Sequence, residues 1–157
     1  MNTKPAYFLL FLLLAVVACS GPEIEEGYFK DAKELRQSSF FKRGLAPEAF
    51  VDILPPSARD IHLRISSADT ISHVKFRLTR LPDDYFTLIS RMELALESEV
   101  ENLRPFEPEG ADWWDAEAVR ANFAADTFVF RKLPMGVGDA VYIATTEAGT
   151  VYAWIDR

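Results

Sequence analysis

The chain has 157 residues, with 24 acidic and 17 basic side chains and a formal charge of −7. That sign disfavours nucleic acid, whose phosphates are held by clustered lysine and arginine, and gives no global attraction to anionic lipid. The length suits one domain with a real core and not two, and a lone cysteine, Cys19, allows no intramolecular disulfide.

The N-terminus reads as an export signal. Lys4 supplies a positive n-region, and Ala6 to Ala18 is an unbroken apolar run. Such a run has the length of a signal-peptide h-region and is shorter than the ~20 residues a spanning helix needs. It closes on Val16-Val17-Ala18-Cys19, where small residues precede the cysteine. This stretch resembles the lipobox of bacterial lipoproteins. The resemblance implies that Cys19 carries diacylglycerol on its thiol, that the chain is cut after Ala18, and that the new N-terminal amine is acylated. Acyl chains of that number hold a protein stably on a membrane. Ser20 stands where the family uses Asp for retention at the inner membrane, which implies an outer-membrane location facing the periplasm. The division expected is signal peptide 1–18, lipidated cysteine and tether 19–45, and one globular domain 46–157. Tyr28 to Arg43 has weak helical spacing at Phe29, Ala32 and Leu35, and is either a helix lying on the domain or more of the tether.

Leu54-Pro55-Pro56 stops whatever precedes it, and Ser57 can cap a short turn through Asp60. From Ile61 the apolar period becomes two. Ile61, Leu63 and Ile65 alternate with polar residues, as do Val74, Phe76 and Leu78 after a turn at Ser67 to Thr70. Two such runs predict a hairpin with one apolar and one polar face. Pro82 with Asp83 or Asp84 starts a helix whose stripe is Tyr85, Leu88, Ile89, Met92 and Leu96, fraying near Glu99 because Glu93, Glu97 and Glu101 repel at four-residue spacing. A Pro- and Gly-bearing loop follows from 102 to 111. Asp115 then caps a short helix through Phe123, with Trp114 and Val119 at staple spacing. Strands are expected over 127–132, 140–146 and 150–155, the last two joined through Glu147-Ala148-Gly149. The order β-β-α, loop with short helix, β-β-β predicts an α+β domain: an antiparallel sheet of about five strands with one main helix packed on it.

No motif names a reaction. There is no Gly-x-Ser-x-Gly elbow and no Gly-x-x-x-x-Gly-Lys loop, and the Gly-x-Gly at Gly136 to Gly138 falls between strands. His62 and His73 share a hairpin face with Arg64, Lys75 and Arg77, which would repel a metal ion, and no third ligand has zinc spacing. Neither a metal nor any other cofactor is expected. These five residues stay together on the polar face if 64 opposes 73 and 62 opposes 75, or if 64 opposes 75 and 62 opposes 77. Gathered like charges need an anionic neighbour. That neighbour is expected to be the chain's own acidic stretch from Glu93 to Glu117, with an external anion or acidic partner as the alternative. In the last hairpin Val141, Ile143, Val151, Ala153 and Ile155 segregate from Tyr142, Tyr152 and Trp154. The aromatic side is read as the bed for the main helix, and alternatively as a glycan-stacking platform together with Trp113.

Leu54-Pro55-Pro56-Ser57-Ala58-Arg59-Asp60-Ile61 before a strand, Trp113-Trp114, and the terminal Gly149-Thr150-Val151-Tyr152 hairpin are similar to small bacterial envelope lipoproteins over residues 50–155. That resemblance brings no catalytic or binding residue with it. The function expected is therefore a membrane-anchored, non-enzymatic binding or accessory protein with an envelope protein as its partner. A peptidoglycan-binding module is the first alternative, and a hydrolase with His62 or His73 as base the second.

Overall fold

A computed structural model describes residues 24–45, 47–66, 72–95, 108, 110–119, 131–135 and 140–156. The signal segment, Cys19, the 67–70 turn, Leu96, Phe123, residues 127–130 and the Gly-x-Gly lie outside these. The fold is α+β and is built on one antiparallel sheet. Its strands are β1 (Ile24–Asp31), β2 (Arg59–Ser66), β3 (Ser72–Arg77), β4 (Glu93–Leu94), β5 (Arg131–Pro134), β6 (Ala140–Thr145) and β7 (Thr150–Asp156). The order across the sheet is β1-β2-β3-β7-β6-β5-β4. The described helices on it are short, among them α1 (Ala32–Gln37), α2 (Ser39–Lys42), α3 (Glu48–Ile53) and α4 (Asp83–Ile89).

The sheet has seven strands instead of about five, and none of the described helices dominates. The largest correction is at the front of the domain. Residues 24–45, expected as tether with a helix lying on the domain as the alternative for 28–43, are folded: β1 pairs with β2 from Ile24↔Ser66 to Asp31↔Arg59, and helices follow at Ala32–Gln37 and Ser39–Lys42. This strand hides from a hydrophobicity pattern because its inward row is Glu25, Gly27 and Phe29, of which only Phe29 is apolar and buried. A Cβ at Gly27 would lie 2.8 Å from the Phe29 ring, so that ring occupies the place of a side chain. Asp31 then caps α1 by accepting from the Glu34 N–H at 2.9 Å, while the Glu34 carboxylate takes the Lys30 N–H at 2.7 Å. The cap holds the Asp31 pKa below the ordinary aspartate value.

The first hairpin has the expected faces and the first of the two expected registers, Arg64↔His73 and His62↔Lys75. Ile61, Leu63, Val74 and Phe76 are fully buried with Val141, Ile143, Val151, Ala153 and Ile155, and α1 to α4 lie on this aliphatic face. A bulge between Arg59 and His62 ends the regular ladder, with Asp60 at φ 53°. Ser57 caps no helix. Its hydroxyl donates to the buried Asp84 carboxylate at 2.5 Å, and the Arg80 N–H donates to the same oxygen at 2.9 Å.

Two further expectations change. The main helix stops at Ile89 and does not run to Glu99: the Ser90 hydroxyl bonds the Thr87 carbonyl, and Glu93–Leu94 pairs with Arg131 and Lys132 as β4. Its buried Leu88 joins the aliphatic core, so the aromatic face is not its bed. That face is covered by 110–119, where Ala111, Trp114 and Val119 pack with Ala144, Tyr152 and Trp154. Asp115 accepts from the Ala118 N–H at 2.9 Å, as a cap should. Gly149 turns the last hairpin at φ +81°, and a Cβ there would sit 2.8 Å from Leu81 Cδ1.

Candidate functional site

The polar face is ordered in rows running across the strands. One row reads Glu26, Arg64, His73, Trp154, Tyr142, Lys132 and Glu93, one residue from each strand. The next reads Tyr28, His62, Lys75, Tyr152 and Ala144. Directly opposed pairs are the closest side-chain neighbours in a sheet, so the register by itself sets Arg64 beside Glu26 and aromatic rings along the centre.

All five residues singled out on the hairpin lie on this face, but three of them are engaged by neighbours that sequence reasoning did not identify. Arg64 Nη1 meets Glu26 Oε1 at 2.6 Å. Arg77 donates through Nε and Nη2 to Asp60 Oδ2 at 2.9 and 2.8 Å, which holds the Asp60 pKa below its ordinary value. Lys75 Nζ donates to the Trp113 carbonyl at 2.8 Å and stands 5.5 Å above the Tyr152 ring. Of the acidic stretch from Glu93 to Glu117, the described residues 110–117 lie over this face. There the backbone and rings of Trp113-Trp114 meet the hairpin bases, and among the described residues the carboxylates paired with those bases come from β1 and the β2 bulge. Alternation could not reveal this, because Glu26 belongs to the strand whose inward row is polar.

The two histidines differ. His73 is only 5% exposed and lies edge-on to Trp114, 4.9 Å between centroids. His62 is half-buried between two rings: Tyr28 at 4.9 Å, tilted, and Trp113 at 5.3 Å, stacked. Burial and the Lys75 charge lower its pKa, against the opposite pull of Asp60 and Glu26, so its neutral form is favoured. Trp114 is wedged at the centre, edge-on to Tyr152 and Trp154 at 5.2 and 6.4 Å. Burial, with Asp115 adding to it, raises the Tyr152 pKa. Tyr152 and Trp154 are therefore core and cannot stack on a ligand. Tyr28, which sequence reasoning passed over, is 57% exposed, with its hydroxyl 3.3 Å from Asp60 Oδ1.

The open part of the face is thus a ring strip, Tyr28–His62–Trp113, bordered by the Arg64–Glu26 and Arg77–Asp60 pairs. On the aliphatic side, a cleft of about 170 Å³ lies between the Leu54-Pro55-Pro56 segment and α4, with Asp52 and Arg91 among its lining residues. Among the described residues no group of three His, Cys, Asp or Glu is placed to hold a metal ion, and no helix is long and apolar enough to cross a membrane. Comparison of the chain with protein-family models, with curated proteins and with solved structures finds no match.

Proposed function

We propose that the chain is a lipid-anchored protein of a bacterial envelope, exported to the outer membrane, with a binding and not a catalytic role. The anchor rests on Val16-Val17-Ala18-Cys19. The binding role rests on one observation, the half-open strip Tyr28–His62–Trp113 between two ion pairs. Rigid rings beside paired charges offer both apolar contact and directed hydrogen bonds to a partner. The same packing argues against a histidine base, since His73 is closed off and His62 is held between rings. Cys19→Ala is expected to abolish incorporation of a fatty-acid analogue in growing cells, because no other thiol exists. Label persisting in that variant would overturn the anchor.

A saccharide ligand is the second reading, favoured by the exposure of Tyr28 beside His62, which itself stacks on Trp113. The C–H face of a pyranose suits such rings, while the Asp60, Arg77, Glu26 and Arg64 heads suit its hydroxyls. Tyr28→Ala is then expected to weaken binding of a soluble peptidoglycan fragment about tenfold, the equivalent of ~1.4 kcal/mol for one lost ring contact. Tryptophan emission, to which Trp113 contributes with Trp114 and Trp154, would follow the titration. Equal affinity in the variant would remove this reading.

A further inference from the structure

We infer that the end of the sheet bearing Ile24, together with Phe41 of α2, rests on the bilayer surface, so that the domain lies against the membrane and does not stand off from it. This rests on the lipidation of Cys19 proposed above. Cys19 and the first residue of β1 are five Cα steps apart in the sequence, which a fully extended chain spans in at most about 18 Å. A domain of this length is roughly 35 Å across. The end from which the tether leaves is therefore always closer to the lipid than the domain is wide.

That end is built for contact. α2 is pinned beside the start of β1 by Arg43, whose Nη2 meets Glu25 Oε2 at 2.8 Å. Two large apolar side chains stand open there, Ile24 at 45% and Phe41 at 37%. Glu25 and Glu26 would repel lipid phosphate, but Arg43 and Arg64 pair with them. Lys42 is exposed next to Phe41 and can reach a phosphate oxygen. The occupant is the boundary between headgroups and acyl chains, where an apolar side chain with an adjacent cation is accommodated. Glu25 and Glu26 are each paired with an arginine and Lys42 adds a cation beside Phe41, so apolar insertion drives the contact and anionic lipid is not required. The Glu147 turn, at the opposite end of the sheet, faces away.

The test uses the lipidated protein in phosphatidylcholine vesicles that contain a nitroxide-headgroup lipid. An environment-sensitive dye is attached through Ser39→Cys on α2 or through Glu147→Cys at the far turn, both exposed sites. The expected result is loss of most of the emission at position 39 and little at 147, unaltered by added salt. Ile24→Asp with Phe41→Asp is expected to restore emission at 39 to the level at 147 while the protein still floats with the vesicles. The milder pair Ile24→Ser and Phe41→Ser should act in the same direction. Equal quenching at both positions in a protein whose mass includes the lipid overturns the docking alone. A mass without lipid overturns the anchor, and the docking with it.

Discussion

Phe76→Asp is expected to leave the domain unfolded at room temperature, whereas Phe86→Asp is expected to shift its melting by only a few degrees. Phe76 is fully buried in the middle of β3, beneath the helices. Losing a buried phenylalanine costs about 3–5 kcal/mol, and an unpaired carboxylate in its place adds several more. Those losses together match a typical total stability of ~5–15 kcal/mol. Phe86 makes the same chemical change at a helix position open to water. Circular dichroism melts of both variants would check the pair, and a cooperative melt for Phe76→Asp near that of the parent chain would show the strand face to be misassigned. Lys75→Asp, which alternation alone would treat as harmless, is expected to fall between them. It loses the bond to the Trp113 carbonyl and the contact with Tyr152.

The second large effect is expected at Asp84. Its carboxylate is buried, a condition that by itself raises its pKa. The Ser57 hydroxyl, the Arg80 N–H and the Arg80 guanidinium outweigh burial and hold the value below that of an ordinary aspartate. A carboxyl with a lowered pKa in the folded state contributes stability that is fully present above its unfolded pKa and is lost as pH falls through the folded value. The parent chain should therefore lose part of its stability on acidification below about pH 4, the unfolded aspartate pKa. Asp84→Ala leaves the Arg80 N–H and the Ser57 hydroxyl without their acceptor, at a cost of about 3 kcal/mol and roughly 10 °C of melting temperature at neutral pH. The deficit relative to the parent should shrink as pH falls. A deficit that stays constant from neutral pH to pH 3 would show that the carboxylate is not what ties Ser57 and Arg80 to α4.

The sequence carried the parts of this protein whose causes are local. Strict alternation over Ile61–Ile65 and Val74–Leu78 specified the first hairpin and its two faces, since a one-residue slip would expose every apolar side chain at once. The same logic separated Val151, Ala153 and Ile155 from Tyr152 and Trp154, and Asp115 and Gly149 announced a cap and a turn by their own backbone chemistry. The lipobox, and the anchor it suggests, is wholly a matter of sequence. What only the tertiary structure decided depends on partners distant in the chain. β1 has an acid and a glycine on its inward row, so it becomes a strand through pairing with β2, through the Phe29 ring over Gly27, and through Arg43 on Glu25. Glu93–Leu94 becomes a strand only because β5 lies beside it. Which surface covers the aromatic face was undecidable from periodicity, because helix α4 and the Trp113-Trp114 segment are both amphipathic and a hydrophobic stripe does not name its partner. The candidate strip arises in the same way: Tyr28, His62 and Trp113 come from three separate segments, and the pairing of β1 with β2 and the Lys75–Trp113 bond bring the first and last rings against His62.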